Sequence, residues 1–337
     1  MVKQNIAYSI LELALVPQSS TIKQTLNNSL ELAKEAESNN YKRFWFAEHH
    51  NSSYIGSSAP SILIGYIAEN TEKIRVGSGG IMLPNHSPLI VAEQFGTLAH
   101  LYPDRIDLGL GRAPGTDPQT SQAIRSDFMQ AAHSFPEEVD KLQEYFSIEN
   151  QFSKVRAGIA EGTDVPFYIL GSSTDSAHLA AKKGFPYAFA SHFASTHLLS
   201  ALQIYREEFQ PSEFQQEPYT IAGINVYVAD TDHEAEQLFT TLIRMFVGVL
   251  SGIPEALKPP TELTAELRDM LKHPLLSQML KYSFFGSKPT VKKQIRQFLQ
   301  ETQVNELIAV SPTYALEDRK KSIKLFAEVM KELNEDE

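Results

Sequence analysis

Residues 74–111 contain one complete strand–helix–strand unit and read IRVGSGGIMLPNHSPLIVAEQFGTLAHLYPDRIDLGLG. Two short apolar runs, Ile74–Leu83 and Arg105–Gly111, predict strands. Between them, Pro88–Leu101 predicts a helix with proline at its start, where the missing N–H costs nothing. Apolar runs of this kind, joined by a helix, are typical of parallel strands that are covered on both faces.

The same alternation extends along nearly the whole chain. Six further strands are predicted at Asn5–Leu11, Arg43–Glu48, Pro166–Leu170, Tyr187–Ala190, Ile221–Ala229 and Leu307–Val310. Further helices are predicted after a cap at Ser20 or Thr21, at Pro60–Glu69 and at about Leu316–Leu333. Eight strands in 337 residues predict an α/β protein, and they fit a closed (β/α)8 TIM barrel better than an open sheet. We predict one domain spanning residues 1–337.

Two stretches exceed what a minimal barrel needs. Ala113–Pro136 is a polar segment after the fourth strand, and Gly252–Gly286 is a proline-rich segment before the eighth. Both are predicted as extended loops. In a barrel, the loops that follow the strands lie over the mouth of the active site, so these segments are expected to shape a substrate pocket.

Composition excludes several classes of function. The chain has 41 acidic and 30 basic residues, a formal net charge of −11, which argues against a binder of nucleic acid or membrane surfaces. It has no cysteine, which excludes disulfides, thiolate catalysis and Cys-ligated metals. No window approaches the ~18 uninterrupted apolar residues of a membrane span. We therefore predict a cytoplasmic protein that binds neither nucleic acid nor membrane.

The end of the fifth predicted strand is the best anion site. The strand runs into Gly171, Ser172 and Ser173, and a helix follows from about Asp175. Free N–H groups at a helix N-terminus, with two hydroxyls, suit a phosphate. The same residues also suit an ordinary helix cap. Arg112, at the end of the neighbouring strand, supplies a fixed positive charge and favours the phosphate interpretation.

Three glycines, Gly77, Gly79 and Gly80, lie inside the third strand. Glycine within a strand usually marks an irregularity or a close approach of another group to the backbone. A planar ligand lying on the strand and a bend that closes the barrel both explain them, and the residues alone do not separate the two.

Four histidines follow predicted strands: His49, His50, His86 and His192. Adjacent residues on a strand face opposite sides, so only one of His49 and His50 points into the mouth. Few carboxylates stand near, and no His-x-His motif follows the first strand, so we predict no metal site. A single histidine acting as a general base is the better hypothesis, beside the alternative of a structural histidine.

Three stretches carry a resemblance to a known family: RFWFAEHHN at 43–51, VGSGGIMLPNHSPLIVAEQFGTLAHLYPDRIDLGLGRAPG at 76–115, and FYILGSSTDSAHLAAKKGFPYAFASHFA at 167–194. Together they resemble the flavin-dependent luciferase-like monooxygenases of the bacterial luciferase superfamily, in its single-chain branch. The resemblance implies a barrel that binds FMN. It also implies that reduced flavin and O2 form a C4a-hydroperoxide, which oxidises an aldehyde or a similar small organic substrate.

The resemblance also assigns roles to residues. It implies that His49 is catalytic and that a non-proline cis peptide at Gly79–Gly80 lies beneath the flavin ring. It assigns the phosphate to Arg112, Ser172 and the backbone of Gly171–Ser173. The full set of cofactor-binding residues that it implies is Ser78, Gly79, Gly80, Gly111, Arg112, Gly171, Ser172 and Ser173. Luciferase itself has a cysteine where this chain has Gly111, which argues against light emission from a long-chain aldehyde.

Residues 109–115, GLGRAPG, mimic a dinucleotide-binding loop, but the third glycine is one place late and Pro114 stands where a helix should begin. All eight strands are used by one barrel, which leaves no second nucleotide-binding domain. We therefore expect a separate NAD(P)H:flavin reductase to supply reduced flavin, and the resemblance suggests a homodimer. Two alternatives stay open: a non-catalytic flavin carrier, and a deazaflavin-dependent enzyme that transfers hydride without O2.

Overall fold

The computed structural model describes residues 5–336, so Met1 to Gln4 and Glu337 of the predicted domain lie outside the described residues. Within residues 5–336, nine strands form a single parallel sheet. They are β1 (Ala7–Glu12), β2 (Arg43–Phe46), β3 (Arg75–Met82), β4 (Ile106–Gly111), β5 (Phe167–Gly171), β6 (Tyr187–Phe189), β7 (Thr220–Val228), β8 (Ser283–Gly286) and β9 (Glu306–Val310). Strands β1 to β7 pair in order, and β9 pairs with both β7 and β1. These eight strands close the predicted (β/α)8 barrel, which is confirmed.

Helices separate the strands and cover the barrel. Their bounds are α1 (Ile22–Ser38), α2 (Pro60–Glu69), α3 (Pro88–Leu101), α4 (Pro118–Ile124), α5 (Phe128–His133), α6 (Phe135–Phe146), α7 (Thr174–Lys183), α8 (Leu198–Glu208), α9 (Asp232–Leu250), α10 (Ala265–Met270), α11 (Pro274–Met279), α12 (Lys288–Thr302) and α13 (Leu316–Asp336). As predicted, Thr21 caps α1, and its hydroxyl accepts a hydrogen bond from the backbone N–H of Gln24 at 3.1 Å. Among the described helices, none has the length and apolar character that crossing a membrane requires.

The two stretches predicted as extended loops contain regular structure. Residues 113–136 include the short helices α4 and α5. Residues 252–286 include α10, α11 and strand β8, which is additional to the eight predicted strands. Strand β8 lies beside the second half of β7, where Ser283 to Gly286 pair with Asn225 to Val228. Four residues of strand, or six to seven of helix, are too short to show a period in the sequence, so tertiary packing decides these elements.

Alternation along β2 shows how the barrel positions its two cores. Phe44 and Phe46 point outward and belong to the large core beneath the helices. Trp45 points inward and packs with Leu11 and Tyr168 inside the barrel. The ring of Trp45 meets that of Tyr168 edge to face, with centroids 4.9 Å apart. These inward side chains fill the barrel, and in barrels of this kind ligands bind at the carboxyl-terminal mouth.

Candidate active site

A cavity of about 570 Å³ opens at the carboxyl ends of the barrel strands. Its wall includes His49 after β2, Gly79 in β3, Arg112 after β4, Ser172 after β5 and His192 after β6. The volume lies in the range of small-molecule sites, roughly 300–1,000 Å³. The structure therefore brings together residues that are far apart in the sequence, at the end of a barrel where active sites are built.

One corner of the cavity has the donors that a phosphate needs. Arg112 is half exposed, and its Nη2 lies 3.3 Å from Oδ2 of the exposed Asp175. Ser173 precedes α7, and its hydroxyl makes no capping hydrogen bond to the helix. An exposed ion pair contributes only about 0–1 kcal/mol, so Arg112 can exchange Asp175 for a ligand at little cost. Guanidinium, hydroxyl and helix N-terminus together fit a phosphate.

Gly79 of β3 forms a bare edge of the cavity. The peptide bond between Gly79 and Gly80 is cis, as the resemblance implies. A Cβ on Gly79 would lie 2.7 Å from Leu11 Cδ1, and one on Gly80 would lie 2.7 Å from the carbonyl oxygen of Gly109. The register with β4 is also irregular at this point. Both interpretations of these glycines therefore have support: the strand is irregular, and its backbone faces a cavity that a flat ring could enter.

The other predicted cofactor-binding residues divide into two groups. Gly111, Gly171, Ser172 and Ser173 line the cavity, as do His49, Gly79 and Arg112. Ser78 and Gly80 do not line it. Ser78 is fully buried, and its hydroxyl donates to the carbonyl of Gly109 at 2.8 Å and accepts from the N–H of Gly109 at 3.0 Å. The side chain of Ser78 thus joins β3 to β4.

His49 is held in the wall by its backbone. Its N–H donates to the carbonyl of Ser57 at 3.0 Å, and the next residue, His50, donates to the carbonyl of Gly115 at 3.2 Å. The Nδ1 atom of His49 is buried without a hydrogen-bond partner. Burial lowers the pKa of His49 from its ordinary value, against the opposing effect of the Glu48 carboxylate. A lowered pKa favours the neutral imidazole, which has a lone pair that can accept a proton.

Glu48 connects the two loops that follow β2 and β3. Its buried carboxylate accepts hydrogen bonds from Nε2 of His50 at 2.8 Å, Nε2 of His86 at 2.9 Å and Nδ2 of Asn85 at 3.0 Å. Burial alone would raise the pKa of Glu48, but the bonds from His50 and His86 outweigh it and lower the pKa to about 2. Two of the four candidate histidines are therefore bound to one carboxylate, whereas His49 is not.

The apolar wall of the cavity was not predicted from the sequence. It comes mainly from α9, with Leu242, Met245, Phe246 and Val249, and from Met279 of α11. A signal for it exists: residues 238–250 read LFTTLIRMFVGVL, which is apolar on nearly every side of the helix. A helix with no polar face has two buried faces, and here one of them borders the cavity.

Within the described residues, 5–336, no three His, Cys, Asp or Glu side chains are grouped so that they could hold a metal ion. The donors around the cavity are instead a guanidinium, hydroxyls, glycine backbone and two unpaired imidazoles. This set suits an anionic, planar organic cofactor better than a cation.

Comparison with known proteins shows which proteins this chain resembles. A family model described as luciferase-like monooxygenase matches residues 9–306. A luciferase-like monooxygenase of Escherichia coli (strain K12) is 42% identical over 333 residues, which cover 99% of each chain. An N-acetyl-S-alkylcysteine monooxygenase of Bacillus subtilis (strain 168) is 29% identical over 334 residues, covering 96% of this chain and 98% of that one.

Solved structures extend the similarity to the fold. Apo-MsnO8 superimposes with a TM-score of 0.88 at 32% identity, covering 97% of this chain and 98% of its own. The FMN complex of the oxygenating constituent of 3,6-diketocamphane monooxygenase, from a plasmid of Pseudomonas putida, gives a TM-score of 0.75 at 17% identity, with 96% and 97% coverage. An F420-dependent secondary alcohol dehydrogenase gives 0.68 at 17% identity, with 96% and 98% coverage.

Proposed function

The chain belongs to the luciferase-like monooxygenase family, and on that premise we propose that it is an FMN-dependent monooxygenase that oxidises an aldehyde or a similar small organic substrate with O2. One observation carries the proposal. A single cavity combines a corner suited to phosphate at Arg112 and Ser172, a bare glycine edge at Gly79, and the unpaired, neutral histidine His49. Related proteins use FMN or F420, and the phosphate corner supports either cofactor.

The residues present fit FMN. Arg112, the hydroxyls of Ser172 and Ser173 and the first N–H groups of α7 would hold the phosphate. Gly79 lines the cavity without a side chain and would present its backbone to the ring. When bound, reduced FMN supplies the electrons for activating O2.

The chain itself supplies orientation, a dry environment and proton transfer. The apolar side chains of α9, among them Leu242 and Phe246, would exclude water from the cavity. His49, neutral and without a hydrogen bond from the protein, would accept or return the proton that substrate oxidation moves.

The proposed function is tested by O2 uptake and product analysis. The purified protein receives reduced FMN from an added reductase, with and without a series of aliphatic aldehydes. Oxygenated product that depends on both the protein and the aldehyde supports the proposal. FMN binding without product indicates a flavin carrier. Hydride transfer to or from F420 with no O2 consumption indicates the deazaflavin alternative.

The phosphate corner gives a prediction for cofactor affinity. A charge-assisted hydrogen bond contributes about 1.5–3 kcal/mol, so Arg112→Ala is expected to weaken FMN binding by roughly ten- to a hundredfold. Riboflavin, which has no phosphate, should bind the variant and the original chain alike. Arg156→Ala, which removes an exposed arginine paired with Glu161, is the matched control and should bind FMN normally. Equal FMN affinity before and after the Arg112 substitution contradicts this assignment.

We also propose that a separate NAD(P)H:flavin reductase supplies the reduced flavin, in the cytoplasm. The support is the broken dinucleotide loop at residues 109–115, which ends β4 and leads into the cavity wall. In anaerobic stopped-flow mixing of the FMN-loaded protein with NADPH or NADH, flavin bleaching should be slower than about 1 s⁻¹, the low end of ordinary turnover. A trace of flavin reductase should restore it. Rapid bleaching without the reductase overturns the need for a partner.

A homodimer is proposed from the outer surface of the barrel. Helices α2 and α3 are neighbours, and they expose Ile62 (71%), Leu101 (63%) and Ile90 (47%) to solvent. Large exposed apolar side chains on two neighbouring helices suit a protein–protein contact. Sedimentation equilibrium of the purified chain tests the association, and a monomer at micromolar concentration argues against it.

A further inference from the structure

His192 and Asn225 form a polar pair in the cavity wall, and neither side chain has a role in the proposed function. His192 follows β6 and is 8% exposed, whereas Asn225 lies in β7 and is 1% exposed; both line the cavity. The Nδ2 group of Asn225 donates to the backbone carbonyl of His192 at 2.6 Å and to Oγ of Ser283 at 3.1 Å. These two bonds fix the amide, and its Oδ1 is left without a partner.

The ring of His192 is held by packing alone. Its Nδ1 is buried without a hydrogen-bond partner, and it rests where a side chain on Gly223 would be, 2.5 Å from the position of a Cβ there. Phe193 meets the ring edge to face at 4.9 Å between centroids. Burying polar groups without partners costs free energy, so an unpaired imidazole beside an unpaired amide oxygen points to a ligand that completes their hydrogen bonds.

The surroundings of this pair are uncharged. Burial and the proximity of His49 lower the pKa of His192 to about 3, so the imidazole is neutral at pH 7. The charged side chains that line the cavity are already engaged: Glu48 binds His50 and His86, Glu255 pairs with Lys258, and Arg112 is assigned to the cofactor phosphate. The rest of the wall near α9 is apolar. A ligand carboxylate would therefore be buried here without a free cation to pair with it.

We propose that the His192 imidazole hydrogen-bonds a neutral oxygen, a carbonyl or hydroxyl, of a substrate whose remainder is apolar, that Asn225 Oδ1 accepts a hydrogen bond from that oxygen where it is a hydroxyl, and that the cavity selects against substrates bearing a carboxylate. The proposal rests on the proposed function and narrows its substrate class. It also separates this chain from the Bacillus subtilis relative named for N-acetyl-S-alkylcysteine, a compound that is ionised at neutral pH.

Calorimetric titration of the FMN-loaded protein with three probes of similar length tests the proposal. Octanol presents a neutral oxygen, octanoate a carboxylate, and heptane no polar group. Octanol should bind roughly tenfold or more tightly than octanoate. In His192→Phe, octanol should bind about three- to tenfold more weakly, while heptane affinity stays the same. His233→Phe, an exposed histidine at the start of α9, is the matched control and should change none of the three affinities.

Two outcomes overturn the proposal: octanoate binding as tightly as octanol, or octanol affinity unchanged in a folded His192→Phe variant. If that variant does not fold, the comparison of octanol with octanoate in the original chain still decides the selectivity. These titrations need no turnover. A preserved preference for octanol without any oxidation of aldehydes contradicts the proposed function alone, and oxidation of aldehydes without the preference contradicts only the selectivity.

Discussion

Replacing His49 with alanine is expected to lower the rate of substrate oxidation by about 10²–10⁴-fold, the usual effect of removing a general acid or base. The position of His49 explains the expectation. It lines the cavity, its Nδ1 has no hydrogen-bond partner, and burial lowers its pKa, which favours the neutral imidazole. FMN affinity should change little, because the phosphate corner at Arg112 and Ser172 lies after other strands. Single-turnover oxidation and FMN titration measure the two effects separately.

A control variant distinguishes the loss of proton transfer by His49 from a disturbance of the loop that carries it. His50 is bound to the Glu48 carboxylate at 2.8 Å, so His50→Ala disturbs the same loop without removing the unpaired imidazole. A much larger loss of turnover in His49→Ala than in His50→Ala supports proton transfer by His49. Survival of turnover in His49→Ala contradicts the assignment and leaves His192, the other unpaired histidine of the cavity wall, as the candidate base.

The second large effect is expected from Arg43, which is 1% exposed inside the barrel. Its guanidinium binds both oxygens of Glu306, with Nε–Oε1 at 2.8 Å and Nη2–Oε2 at 3.1 Å. Its Nη1 donates to Asp107 Oδ2 and to the hydroxyl of Tyr168, both at 2.7 Å. Burial alone would lower the pKa of Arg43, but the two carboxylates raise it well above its usual value, so the side chain stays charged.

Arg43→Met should lower the free energy of unfolding by about 3–5 kcal/mol, because it leaves Asp107 and Glu306 buried with too little positive charge. Urea denaturation measures the loss. Arg296→Met removes an arginine from an exposed ion pair with Asp336, and this control should cost about 0–1 kcal/mol. A loss below about 1 kcal/mol in Arg43→Met would mean that Arg75 and Lys42, which also approach these carboxylates, are sufficient.

The strands and their order could be predicted because each barrel strand is an apolar run bounded by glycine, proline or a helix cap. Predicted and observed ends of the eight barrel strands differ by two residues at most, as for Asn5–Leu11 against Ala7–Glu12. Strand β8 was missed because it pairs only with one half of β7, where its position depends on the fold of the segment before it.

The candidate site was predicted in part. Arg112, Ser172 and His49 follow strands, and the ends of parallel strands meet at one mouth whatever the details of packing, so their proximity followed from the fold class. Ser78 also lies on a strand, but its side chain faces β4, where its hydroxyl forms two hydrogen bonds with the backbone of Gly109. It is therefore not available to a ligand. Which side of an irregular strand a residue faces depends on the register, and the register changes within β3.

By itself, the sequence determined the barrel, the family and the strand ends that line the cavity, because period, glycine and proline positions and strand-end motifs are local properties of the chain. Only the tertiary structure decided which histidines remain unpaired. His50 and His86 are separated by 36 positions, yet both bind the carboxylate of Glu48. In contrast, the Nδ1 atoms of His49 and His192 have no hydrogen-bond partner. Hydrogen-bond partners and burial are set by what folds against a side chain, and for these four histidines those neighbours come from different strands and loops.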